Sequence, residues 1–134
     1  MWESGSGTRF LRRQRYSMQN DDLIRLRHML DAANEARSFA AGKTRDDLNA
    51  NRMLVLSLLK DIEVLGEAAT KVSAAARSAT PEIPWQDIVG MRNRLIHGYF
   101  EVDLDIVWDT VCNDLPPLIQ KLDRIVSREK GGRA

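Results

Sequence analysis

Cysteine is all but missing from this chain. Cys112 is the only one in 134 residues, so no internal disulfide can form, and a reducing compartment fits. Histidine is nearly as scarce. His28 and His97 with one cysteine are too few for a Cys/His zinc site, so any catalysis is expected to run without a metal, or at most with a weakly held Mg²⁺. No apolar run approaches the roughly 20 residues of a membrane helix, and the N-terminus lacks the apolar core of a secretory signal. An excess of one charge is also lacking. Twenty Lys and Arg face nineteen Asp and Glu, a formal net charge of +1, so bulk charge announces no nucleic-acid binder, although a local patch remains compatible. These absences lead to the expectation of a cytoplasmic protein with no membrane partner and no cofactor. The rest, 43% hydrophobic and 29% charged, is the composition of one ordinary globular domain with a single core.

Residues 1–17 stand apart, with Gly5, Gly7, Ser4, Ser6 and four arginines (Arg9, Arg12, Arg13, Arg15) but no helical stripe. They are expected to be a flexible extension before Met18. The other reading is a basic arm touching RNA. The domain proper is expected over 18–128, with a frayed tail from about Ser127 and over 129–134. Four amphipathic helices are read inside it. The first spans about 21–40, with Asn20 as N-cap, Leu23, Leu26, Met29, Leu30, Ala33 and Ala36 on one face, and Gly42 as stop. The second and longest spans about 45–78, opened by Thr44 and Asp47, with Val55, Leu58, Leu59, Ile62, Leu65 and Ala69 in phase. The third starts at Pro84 and carries Trp85, Ile88, Met91, Leu95 and Ile96, with Gly98 as its left-handed end. The fourth follows Asp103 as N-cap. Pro116-Pro117 should break it, yet Leu104, Val107, Val111, Leu115, Leu118, Leu122 and Ile125 keep their spacing across the prolines. A kinked or split helix with one continuous seam is expected, and with it an all-α, up-down four-helix bundle.

Chemistry concentrates in Arg92-Asn93-Arg94-Leu95-Ile96-His97-Gly98-Tyr99. Histidine can take and give a proton near neutrality, and arginine holds phosphate through paired donors. Arg92 and His97 are five residues apart, about 140° around an ideal helix, so spacing alone does not put them on one face. A bland reading stands beside the chemical one. His97 could merely favour the helix dipole, Arg92 and Arg94 could be solvated or paired with Asp103 or Asp105, and Tyr99 could be a core aromatic with a wet hydroxyl.

Pro81-Glu82-Ile83-Pro84-Trp85, Asp87-Ile88 and Met91-Arg92-Asn93-Arg94-Leu95-Ile96-His97-Gly98-Tyr99-Phe100 together resemble the HepT-like branch of the HEPN superfamily. Val102-Asp103-Leu104-Asp105-Ile106-Val107-Trp108, Asp114-Leu115-Pro116-Pro117-Leu118, Asn51-Arg52-Met53-Leu54 and Leu65-Gly66-Glu67-Ala68-Ala69 extend the likeness over about residues 20–126. The resemblance implies an all-α homodimer, the toxin of a toxin–antitoxin pair, acting as a metal-independent endoribonuclease. Its Arg-x4-His-x-Tyr motif falls on Arg92, His97 and Tyr99. Arg92 and His97 would then be catalytic, and Asn93 and Arg94 supporting. Tyr99 would receive AMP from an MntA-type nucleotidyltransferase antitoxin. RNA carries its own nucleophile, the 2′-OH, so no metal-bound water is required. A second reading fits the same residues: a non-catalytic nucleotide- and partner-binding protein that serves as the nucleotidyltransferase's substrate, with Tyr99 as acceptor.

Overall fold

A computed structural model describes residues 18–95 and 101–132, apart from the side chains of residues 92, 93 and 130–132. The proposed extension 1–17 and the motif segment 96–100 lie outside the described residues. The fold is all-α: α1 (Asn20–Ala40), α2 (Asp47–Ala50), α3 (Arg52–Thr70), α4 (Ala74–Ala79), α5 (Trp85–Leu95), α6 (Leu104–Asp109), a π-turn (Thr110–Asp114) and α7 (Leu115–Gly132). Helix α1 lies between α3 and α7, and α3 in turn carries α5 on another side. Leu26, Met29, Leu58, Leu65, Ile88, Leu95, Val107 and Leu122 are all essentially sealed from water and form one continuous core.

Several boundaries differ from the sequence reading, each for a local reason. Helix α1 is entered from Gln19, and Asn20 is its first helical residue, so the expected Asn20 cap is not made. Asp21 and Asp22 do sit in its first turn, where the dipole favours them. Gly42 adopts φ 75°, the left-handed conformation expected of a helix stop.

The expected helix over 45–78 is three pieces. The Asn51 side chain accepts the Leu54 N–H at 3.0 Å, and the Ser73 hydroxyl accepts the Ala76 N–H at 3.1 Å. Each side chain satisfies an orphan donor and so starts a new helix inside a stripe whose apolar period runs on. Asp47 does reach back to Thr44, at 2.6 Å from its N–H, but it serves the short α2 rather than the long helix.

The break in the last helix precedes the prolines. Leu115 N–H reaches the Thr110 carbonyl, five residues back, and so opens the π-turn. An ideal helix would carry the 4-4 spacing of Val107, Val111 and Leu115 about 80° off its own face. One wide turn takes up that drift and keeps the seam buried, with Val107 and Val111 at 0% exposure and Leu115 at 1%. The turn also leaves the Val111 carbonyl without Leu115's N–H, and Pro116 has none to give. Arg37 of α1 fills the gap, its Nη1 donating to that carbonyl at 3.3 Å. Helix α7 then continues to Gly132, past the expected fray at Ser127 and into 129–134. Glu129 holds that stretch to the N-terminal edge by accepting the Met18 N–H at 3.2 Å.

Two buried carboxylates join elements. Asp22 accepts both the N–H (2.8 Å) and the hydroxyl (2.7 Å) of Ser73, tying α1 to the start of α4. Asp61 of α3 is 5% exposed and faces Glu35 of α1. Burial first, then the hydrogen bond to Glu35 and its charge, push Asp61 up from 3.8 to about 7. Two carboxyl groups can hydrogen-bond only by sharing a proton, so near neutral pH this pair is partly protonated.

Candidate functional site

Helix α5 positions whatever the motif does. The Trp85 indole Nε1 donates to the Thr80 carbonyl at 3.1 Å, and the Arg77 guanidinium lies 5.7 Å from the ring centroid. Arg77 is itself anchored by donating to the Ala69 carbonyl at 2.8 Å. The start of α5 is thereby locked onto the ends of α3 and α4. From there Trp85, Ile88, Met91 and Leu95 turn inward at helical spacing, at 8%, 1%, 3% and 1% exposure. The far end is held by the π-turn, where Thr110 Oγ1 donates to Met91 Sδ at 3.5 Å. Asp114, on the same turn, is buried.

Of the sequence-derived site residues, Arg94 is exposed on the last turn of α5. The backbones of Arg92 and Asn93 are helical in α5, while their side chains, together with His97 and Tyr99, lie outside the described residues. Gly98, the expected helix end, lies outside them as well.

The start of α6 is tied down as well. Asp103 Oδ1 accepts the Ile106 N–H at 3.1 Å and caps α6 as expected. Asp105 Oδ1 meets Arg45 Nε at 2.7 Å. Arg94 is thus solvated, as one of the bland alternatives had it, while Asp105 pairs with Arg45 instead. Beside this junction, the α2–α3 corner and residues 102–104 enclose a groove of about 360 Å³, floored by Leu48 and Val55. A second groove of about 380 Å³ runs between α1 and α3 past His28. Its cations are offset by acids: Lys71 pairs with Glu67 at 3.9 Å, and Glu63 shares the wall.

Among the described residues no three His, Cys, Asp or Glu side chains gather as metal ligands would, and no helix is long and apolar enough to cross a membrane. Cys112 is half-buried, and burial raises its thiol above the ordinary value, against the pull of Arg37. The sequence reading missed three features: the Glu35–Asp61 pair, buried Asp114, and the groove with Asn49 and Arg52 on its rim. Asp61 had a legible signal. It sits three residues after Leu58 and four before Leu65, inside the apolar stripe of α3.

Comparison with known proteins adds the lineage. The family model described as "Ribonuclease HepT-like" matches residues 29–125. A Caldanaerobacter subterraneus protein provisionally named an RNase is 30% identical over 105 residues, covering 78% of this chain and 94% of its own length. A Thermococcus cleftensis protein named "Probable ribonuclease HepT" is 32% identical over 80 residues, 60% of this chain and 73% of its own. A Methanocaldococcus jannaschii protein, named a gamma-glutamylcyclotransferase and provisionally an RNase, is 32% identical over 109 residues, 81% of this chain. The chain spans only about half (49%) of that longer relative. No solved structure matches the chain. Matched over most of its length, and all-α as that match requires, the chain belongs to the ribonuclease HepT-like family.

Proposed function

We propose that this chain is a metal-independent endoribonuclease and the toxin of a toxin–antitoxin pair. Family membership together with the intact Arg-x4-His-x-Tyr motif of residues 92–99 carries the reading. The RNA 2′-oxygen attacks the adjacent phosphorus, and the bond from phosphorus to the 5′-oxygen breaks. His97 accepts the 2′-OH proton or returns one to the leaving oxygen. Arg92 holds the phosphate and the charge that grows on it, and Asn93 and Arg94 support the pair. One chain supplies one such histidine, which favours a homodimer with two motifs in a shared cleft. Exposed apolar Met53 and Leu56 on α3, at 79% and 49%, offer surface for that pairing.

Tyr99 is the regulatory residue of this proposal. AMP transferred to its hydroxyl from ATP, by an MntA-type nucleotidyltransferase antitoxin, puts a negative phosphodiester beside the arginines where the RNA phosphate must sit. The central test is cleavage of RNA by purified protein in EDTA. His97→Ala and Arg92→Ala should each lose about 100-fold or more while keeping wild-type helicity. Undiminished cleavage by both variants would refute the catalytic assignment. Tyr99→Phe should cut RNA normally and gain no AMP mass with the partner and ATP. An adduct confined to another residue would refute the switch.

A further inference from the structure

The groove at the α2–α3 corner has a construction that the motif does not explain. Its lining is mixed: Leu48, Ala50, Val55, Val102 and Leu104 are apolar, Asn49 and Arg52 polar. Two polar side chains, Asn49 and Arg52, stand exposed on its rim. Arg45 organises that rim. Its Nη1 donates to Asn49 Oδ1 at 3.2 Å while its Nε binds Asp105 at 2.7 Å, so one guanidinium joins the α2 wall to the α6 wall. With the amide oxygen engaged, the Asn49 NH₂, a two-hydrogen donor, is left with no partner among the described residues. No ion pair forms between Arg52 and any other described residue. A slot of mixed lining, with an amide donor beside a guanidinium on its rim, suits a flat ring with acceptors on its edge, attached to a phosphate. The volume of about 360 Å³ is of nucleotide size.

The groove is also tethered to the motif. Val102 follows Tyr99 by three residues, so even a fully extended chain keeps the two Cα atoms within about 11 Å. We propose that this groove is the subsite for the base of one RNA nucleotide flanking the scissile phosphate, with Asn49 reading the base edge and Arg52 holding the neighbouring phosphate. The proposal rests on the ribonuclease reading above and adds a specificity element to it.

The test uses the full-length His97→Ala protein, expected to bind RNA without cutting it, and fluorescence anisotropy with short labelled RNA oligonucleotides. Each nucleotide in turn is replaced by an abasic residue. One abasic position should weaken binding by about tenfold, the worth of a good hydrogen bond and its packing. Adding Asn49→Ala should erase that difference, whereas Arg52→Ala, which removes a phosphate contact, should weaken binding of every oligonucleotide alike and leave the abasic difference in place. Both side chains are exposed, so the fold should survive, and circular dichroism checks it. Val102→Trp, which fills the slot, should erase the difference too. If all three variants keep the parental affinity and abasic pattern while His97→Ala still abolishes cleavage, the subsite is wrong and the ribonuclease reading stands. If wild type neither binds nor cuts any RNA offered, both fall.

Discussion

Replacing Asp61 by asparagine should stabilise the protein, and more so as pH rises. Asp61 is 5% exposed, and its Oδ2 finds no donor among the described residues. Folding therefore favours its protonated form, with the carboxyl titrating at about 7 instead of 3.8. The sign follows from proton counting. Below pH 3.8 both folded and unfolded chains hold the proton and nothing is lost. Between 3.8 and about 7 only the folded chain holds it, so stability falls as pH rises. Above about 7 the folded protein bears the full cost of a buried carboxylate beside Glu35. At about 1.4 kcal/mol per pH unit, that cost is at most about 4 kcal/mol. An asparagine at this position keeps the shape, carries no charge and can donate permanently to Glu35. In urea denaturation the Asp61→Asn advantage should grow by about 2–3 kcal/mol between pH 5 and pH 8. Parallel stability curves for the two proteins over that range would refute the reasoning.

Two other substitutions test the frame. Ser73→Ala removes the α4 cap and one of the hydrogen bonds that hold buried Asp22, and thermal denaturation should register a loss of about 1–3 kcal/mol. Gly90→Ala adds a methyl that meets nothing within 4 Å on helix α5, so helix propensity alone should stabilise the protein by about 0.5–1 kcal/mol in urea.

The helical class and the buried seams were legible in the sequence because period 3.6 survives wherever a helix packs on a core. The single helix over 45–78 was misread for the same reason. Asn51 and Ser73 break the backbone without breaking the apolar period, and polar caps carry little weight in a hydrophobic count. The phase across Pro116-Pro117 was read correctly, but its mechanism was not. A π-turn depends on where the carbonyls of Thr110 and Val111 find donors, and one of those donors, Arg37, is 74 residues away. Within the motif, residue types alone suggested acid–base and phosphate chemistry. Asn49 and Arg52 were invisible as site residues because only the fold brings them beside 102–104, some 50 residues on.

That tertiary contribution also holds the elements on either side of the motif. Residues 96–100 run between two anchors of different character. On one side, Leu95 is sealed in the core with Met91 and Ile88, so the last turn of α5 has one available rotation. On the other, the Asp103 cap and the Arg45–Asp105 pair fix where α6 begins. The first anchor is apolar and insensitive to salt. The second is an exposed ion pair, of a kind worth about 1 kcal/mol or less to stability. Arg45 nonetheless joins Asn49 to Asp105, so in the proposed subsite its weight falls on geometry rather than on the fold. Substitutions at the α2–α3 corner can therefore test the proposed subsite while the buried face of α5 stays unchanged.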